Sequence, residues 1–284
     1  MKKRVFNKAN STLDLIAQVD TFRIYLVFLW LLPVLLTAAD AIERAIWNRE
    51  FKLSAHEMFV FSSDYSKWGI LSWILPFLLV FPTCFLMMDM NEQNTYAYLP
   101  KQFGKVRFTF LCAGLNIVIT FLSVLLVCLA DLLFCRILFA TNGVNINGIR
   151  YGSAYWKNVG EGNAHIGEFF YLEHPWQYKI LASVVFAAFC ACLSLLFFAI
   201  SLFIHTNAFV IFIAPSVCIL FFYVAEYYGD YEFWAMYTLS ITWEQSVGPA
   251  VALVALLILS ALALMGVFYV RNQKHQRDVT GIYH

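Results

Sequence analysis

Residues 108–130 read "FTFLCAGLNIVITFLSVLLVCLA", without one charged side chain. About 20 residues at 1.5 Å each cross a hydrocarbon layer of about 30 Å, so an uncharged apolar run of this length predicts a membrane-crossing helix. Five more runs of the same kind lie at 22–39, 68–88, 180–204, 208–225 and 247–270. Lipid offers backbone groups no hydrogen-bond partner, which leaves helices and closed barrels as the only spanning structures. The alternation over about ten residues that marks a barrel strand is absent. The expected fold is all-α, a polytopic membrane protein with six transmembrane helices in a single domain covering residues 1–284.

Composition agrees. Of 284 residues, 61% are hydrophobic and 13% are charged, where a soluble domain carries about a quarter charged. The first run does not read as a cleaved signal peptide: a charged leader of 21 residues precedes it, and no small-residue cleavage site leads into a polar mature region. Within that leader, Leu13, Ile16 and Ala17 fall at helical spacing after Ser11 and Thr12, which suggests either a short helix on the membrane surface or a plain polar leader. Seven cysteines (Cys84, Cys112, Cys128, Cys135, Cys190, Cys192 and Cys218) lie in or beside the runs. They match neither a disulfide framework nor a paired metal motif and read as small apolar filler, Cys190 and Cys192 pointing to opposite sides of a helix.

Orientation follows from the excess of Lys and Arg on the cytoplasmic side. With both ends inside, the inner segments 1–21, 89–107, 205–207 and 271–284 hold ten cations and five acids. The outer segments 40–67, 131–179 and 226–246 hold eight cations and thirteen acids. The expectation is a multi-pass protein of the cell membrane with cytoplasmic N- and C-termini.

The middle of every run lacks a charged side chain, so no built-in ion pathway is visible. Asn116 is the main strongly polar residue well inside, and is read as a hydrogen bond between helices. Asp131, Glu226 and His205 are expected at span ends, where water reaches them. Ser183, Ala187 and Ala191 recur every four residues on the fourth run and predict a close helix–helix packing stripe. Pro33, Pro76, Pro82 and Pro215 should bend three of the spans. Catalytic constellations are missing: His56-Glu57 lacks the second histidine of a zinc-protease helix, and Gly152-Ser153-Ala154 lacks a base. His165, Glu168, Glu173 and His174 are read as solvated loop residues rather than metal ligands. With no phosphate-binding glycine loop, no cofactor and no nucleic-acid partner are expected.

The polar segment between the second and third runs, "DMNEQNTYAYLPKQFGKVRF" at 89–108, carries the functional reading. Asn91 can cap a short helix and Glu92 suits its positive end. Tyr96, Leu99 and Phe103 then share one apolar side, Pro100 ends or bends the helix, and Lys101, Lys105 and Arg107 lead into the third span. The competing reading is a solvated turn whose cations anchor helix ends to lipid headgroups.

Six spans, a surface helix before the first and this inner loop resemble the ABC type-2 permeases, the membrane subunits of one class of ABC exporter. Glu92, Thr95, Tyr98-Leu99-Pro100 and Lys105 fill the acidic, threonine, aromatic-leucine-proline and basic positions of that family's coupling helix. Asn94 replaces its usual glycine, and the basic position is spread over Lys101, Lys105 and Arg107. The architecture covers most of the chain, the motif about fifteen residues. The resemblance implies a permease subunit without its own nucleotide site, coupled to a separate ABC ATPase through Glu92, Thr95, Tyr96, Leu99, Pro100, Lys101, Phe103 and Lys105. It implies a second permease subunit, the same chain or another, and export of an amphiphilic peptide, bacteriocin, lipid or drug. The aromatic, cation-free stretch 226–246 fits the family's short re-entrant helices. The outer segments 40–67 and 131–179 exceed the minimal family plan; 141–163, "TNGVNINGIRYGSAYWKNVGEGN", is either a flexible connection or an extracellular cap. Two other classes compete: a membrane scaffold or sensor whose inner loop recruits a cytosolic protein, and an intramembrane enzyme.

Overall fold

The computed structural model describes residues 31, 34–39, 41–43, 45–46, 75–80, 105–139, 174–203, 212–220 and 247–280. Among the described residues there is no strand, and three long helices dominate: α1 (Lys105–Leu138), α2 (Pro175–Phe203) and α3 (Val247–Thr280). Two stretches, Thr109–Leu138 and Trp176–Leu202, are long and apolar enough to cross a membrane, at lengths of about 45 and 40 Å. The described apolar part of α3, Val254–Val270, is shorter, and the helix then continues through the polar residues 271–280. The expected runs at 22–39, 68–88 and 208–225 are described only in part; 34–39, 75–80 and 212–220 within them are helical.

Helix ends follow backbone chemistry more closely than they follow hydropathy. Proline is suited to the first position of a helix, where its missing N–H costs nothing and its φ is already helical. Accordingly α2 opens at Pro175, ahead of the apolar run that begins at Ile180, and the carbonyl of His174 accepts the first helical bond from Tyr178 N–H at 3.0 Å. At the other boundary, α1 runs past the expected end at Ala130 to Leu138, and Phe139 N–H still donates to the Cys135 carbonyl at 3.0 Å. Asp131 is thereby carried into the helix. It is 0% exposed, which corrects the expectation that water reaches it.

The central element is α2, which packs against both α1 and α3. It runs antiparallel to α1: Ser194 meets Asn116 and Thr120, while Ser183 meets Cys128 further along. A core forms around it from Phe186, Phe189, Leu193 and Phe197, with Val124, Cys128 and Leu132 of α1 and Leu257 of α3. Leu75, Leu79 and Val80 join the same core. Ser183, Ala187 and Ala191 of α2 are all buried, Ala187 within this cluster. Small side chains on such a face let backbones approach.

Polarity in α1 is inverted relative to a helix on the surface of a soluble protein. Its outward positions include Val118, Leu122, Leu126, Leu129, Leu133 (55% exposed) and Ile137 (69% exposed). Its inward face holds Asn116, Thr120, Ser123 and Asp131.

Candidate functional site

Serine and threonine in an apolar helix ordinarily satisfy their hydroxyl on a carbonyl of the preceding turn. Thr37, Ser123, Ser183, Ser201, Ser216 and Ser260 all do so, donating to carbonyls three or four residues earlier at 2.6 to 2.9 Å. Ser194 and Thr120 behave differently. Ser194 Oγ of α2 donates across to the carbonyl of Leu79 at 2.7 Å and stands 3.0 Å from Asn116 Oδ1 of α1. Thr120 Oγ1 stands 3.3 Å from Ser194 Oγ and 3.5 Å from Asn116 Oδ1. All three side chains are buried, so three helical stretches meet at one neutral polar point. Asn116 was legible as an interhelical group. Its partners were not, because nothing in residue type separates Ser194 from the serines that bond within their own helix.

The amide of Asn116 is only partly used. Its side chain is 2% exposed, and Nδ2 has no hydrogen-bond partner among the described residues. Leaving a buried polar group unpaired costs about 1–3 kcal/mol. Native structures keep few of these groups, and each calls for a physical reason.

A second polar layer lies where α1 ends and α2 begins. The Cys128 thiol rests against the Ser183 hydroxyl and within electrostatic reach of the Asp131 carboxyl, and Cys135 Sγ is 4.0 Å from Asp131 Oδ1. With Cys128 facing Ser183 on antiparallel helices, three residues further along α1 and four residues back along α2 bring Asp131 and Lys179 to nearly one level. Lys179 is 1% exposed. Charges so deeply buried persist only where other groups balance them. On the outside of this layer, the Arg136 guanidinium stands 5.7 Å from the centroid of the Trp176 ring, within cation–π range. Arg136 also occupies the last turn of α1, where a cation complements the helix dipole.

The residues expected to grip an ATPase are mostly beyond view: Glu92, Thr95, Tyr96, Leu99, Pro100, Lys101 and Phe103 lie outside the described residues. Lys105 is the first residue of α1. His165, Glu168 and Glu173 also lie outside them, and His174 is exposed. Among the described residues, no group of three or more His, Cys, Asp or Glu side chains could hold a metal ion. Cys112, Cys128, Cys135, Cys190, Cys192 and Cys218 are free thiols. No family model, curated protein or solved structure matches this chain.

Proposed function

We propose that this protein is the membrane-embedded permease subunit of a multi-component ABC transporter, exporting an amphiphilic peptide, lipid or drug. In this reading six spans cross the cell membrane with both termini in the cytoplasm, and a separate ATPase supplies the energy by docking on residues 89–107. The observation that carries it is the inside-out polarity of α1 together with where that helix begins. A helix that turns Leu122, Leu126, Leu129 and Leu133 outward while burying Asn116, Thr120 and Asp131 is matched to lipid, not to water. It is unbroken from Lys105 to Leu138, 34 residues. A push on the segment before Lys105 therefore enters a rigid rod about 50 Å long that lies against the central helix α2. Lys105 and Arg107 at its start run against the helix dipole. Attraction to anionic headgroups or an acidic partner surface offsets that cost.

Affinity capture of the full chain from its own cells, in mild detergent, tests the reading. A Walker-motif ATPase should co-purify, and charge reversal at Glu92 (Glu92→Lys) or Lys105 (Lys105→Glu) should reduce its recovery at least tenfold while leaving the chain in the membrane. Capture without any ATPase, or recovery indifferent to both substitutions, would refute it and favour the scaffold reading.

A further inference from the structure

Arg136 is an exposed cation in the last turn of α1, near the end of the apolar stretch Thr109–Leu138. Trp176, whose ring centroid is 5.7 Å from the guanidinium, is the first residue of the apolar stretch Trp176–Leu202. Both therefore stand at one boundary of the hydrocarbon layer, within about 3 Å of a span end. Lipid headgroups begin at that depth, and tryptophan is enriched there. A ring face offers a cation electron density but no oxygen. Among the described residues, the N–H donors of this guanidinium meet neither a hydrogen-bond acceptor nor a carboxylate.

Apolar surface descends from this point on both helices. Leu122, Leu126, Leu129, Leu133 and Arg136 follow one another in steps of four and three, so they share one face of α1, and all are exposed. On α2, Trp176, Ile180 and Val184 repeat every four residues, and Ile180 and Val184 are exposed. Because the two helices are antiparallel, both rows run from the boundary toward the middle of the membrane. A cation with unmet donors thus heads two apolar rows, which matches a phosphate group above acyl chains.

We propose that Arg136 and Trp176 head a binding site for one anionic phospholipid, its phosphate on the Arg136 guanidinium and its acyl chains along Leu129 and Leu133 of α1 and Ile180 of α2. The planar fork of arginine suits phosphate oxygens, and basic residues beside transmembrane helices select anionic headgroups. Contact with Trp176 already restrains the Arg136 side chain, so less ordering is left for binding to cost. A second copy of the chain fits this face poorly. Two copies in one membrane share an orientation, so a two-fold interface along the row is parallel and sets Arg136 against Arg136. The inference needs α1 and α2 to cross a membrane and uses nothing else of the transport reading.

The test is native mass spectrometry of the purified full chain in mild detergent. It is titrated with dioleoyl phosphatidylglycerol, with zwitterionic dioleoyl phosphatidylcholine, and with glycerophosphoglycerol, the anionic headgroup without chains. The anionic lipid should bind about fivefold more tightly than the zwitterionic one, the share of one arginine near a membrane surface, and the chainless headgroup should not bind at matched concentration. Arg136→Gln should bring the two lipids to equal affinity, whereas Arg136→Lys, which keeps the charge, should retain part of the preference. In the unmodified protein the preference should shrink as salt rises from about 0.05 to about 0.5 M. Equal binding of the two lipids, a preference that survives Arg136→Gln or ignores salt, or capture of the chainless headgroup as tightly as the lipid would overturn the proposal. So would a disulfide-linked dimer formed in membranes by Leu133→Cys and not by the unmodified chain, which would put a second copy on this face.

Discussion

The same two helices bury two polar layers, and the layers are made of different chemistry. The Asn116–Thr120–Ser194 layer is neutral and held by contacts of Ser194 that cross between helices. The layer around Asp131 and Lys179 carries an acidic and a basic side chain and lies near the end of α1 and the start of α2. Depth separates the layers along α2, where Lys179 is three residues inside Trp176 and Ser194 eight inside Leu202, but not along α1, where Asn116 and Asp131 are each seven residues from an end of Thr109–Leu138. A charge near the middle of a hydrocarbon layer is costly, whereas amides and hydroxyls are tolerated there once they find partners. Near a helix end the cost of charge falls, because long side chains reach toward the interface.

The largest test of that contrast is removal of one charge. Asp131→Asn should destabilise the protein by about 3–5 kcal/mol, because breaking a buried set of charges from one side leaves the other uncompensated. Combining it with Lys179→Met should recover most of the loss, read as a double-mutant cycle on reversible unfolding in detergent. Single and double variants of equal stability would show that the two charges do not sense each other, and the second layer would dissolve as a unit.

Next in size is the packing that holds both layers in register. Ala187 is 0% exposed within the core of α2, so Ala187→Leu should cost about 1–3 kcal/mol through overpacking. Disulfide cross-linking of introduced cysteines at Val124 and Ala187 checks whether α1 and α2 separate. Smaller again is loss of the neutral layer's crossing bonds: Ser194→Ala should cost about 0.6–1.7 kcal/mol, the usual range for interhelical hydrogen bonds in a membrane. A cost above that of Asp131→Asn would invert the comparison. The smallest effect belongs to the outward face. Leu126→Ala should change stability by less than about 0.5 kcal/mol, because in lipid the side chain leaves one apolar surrounding for another.

How much of this was legible varies by feature. Hydropathy places α1 and α2 but misses their ends, since it averages over side chains while a helix stops where its backbone bonds and caps stop. The His174-Pro175 pair was a readable start signal for α2, outweighed by the polar residues that follow it. Asp131 looked solvated because an acid just past an apolar run ordinarily is, but the helix continues to Leu138 and the residue is buried. The small stripe at Ser183, Ala187 and Ala191 was visible in its spacing, whereas which helix lies against it was not.

By itself the chain of side chains determined that long apolar helices form and that Asn116 must find a partner, because transfer costs and backbone hydrogen bonding are local properties of each segment. Only the tertiary arrangement decided that α2 sits between α1 and α3, that Ser194 forsakes its own helix for the Leu79 carbonyl, and that Asp131 and Lys179 come level. Those outcomes depend on the register between helices distant in sequence, and register is set by the fit of whole faces rather than by any one residue.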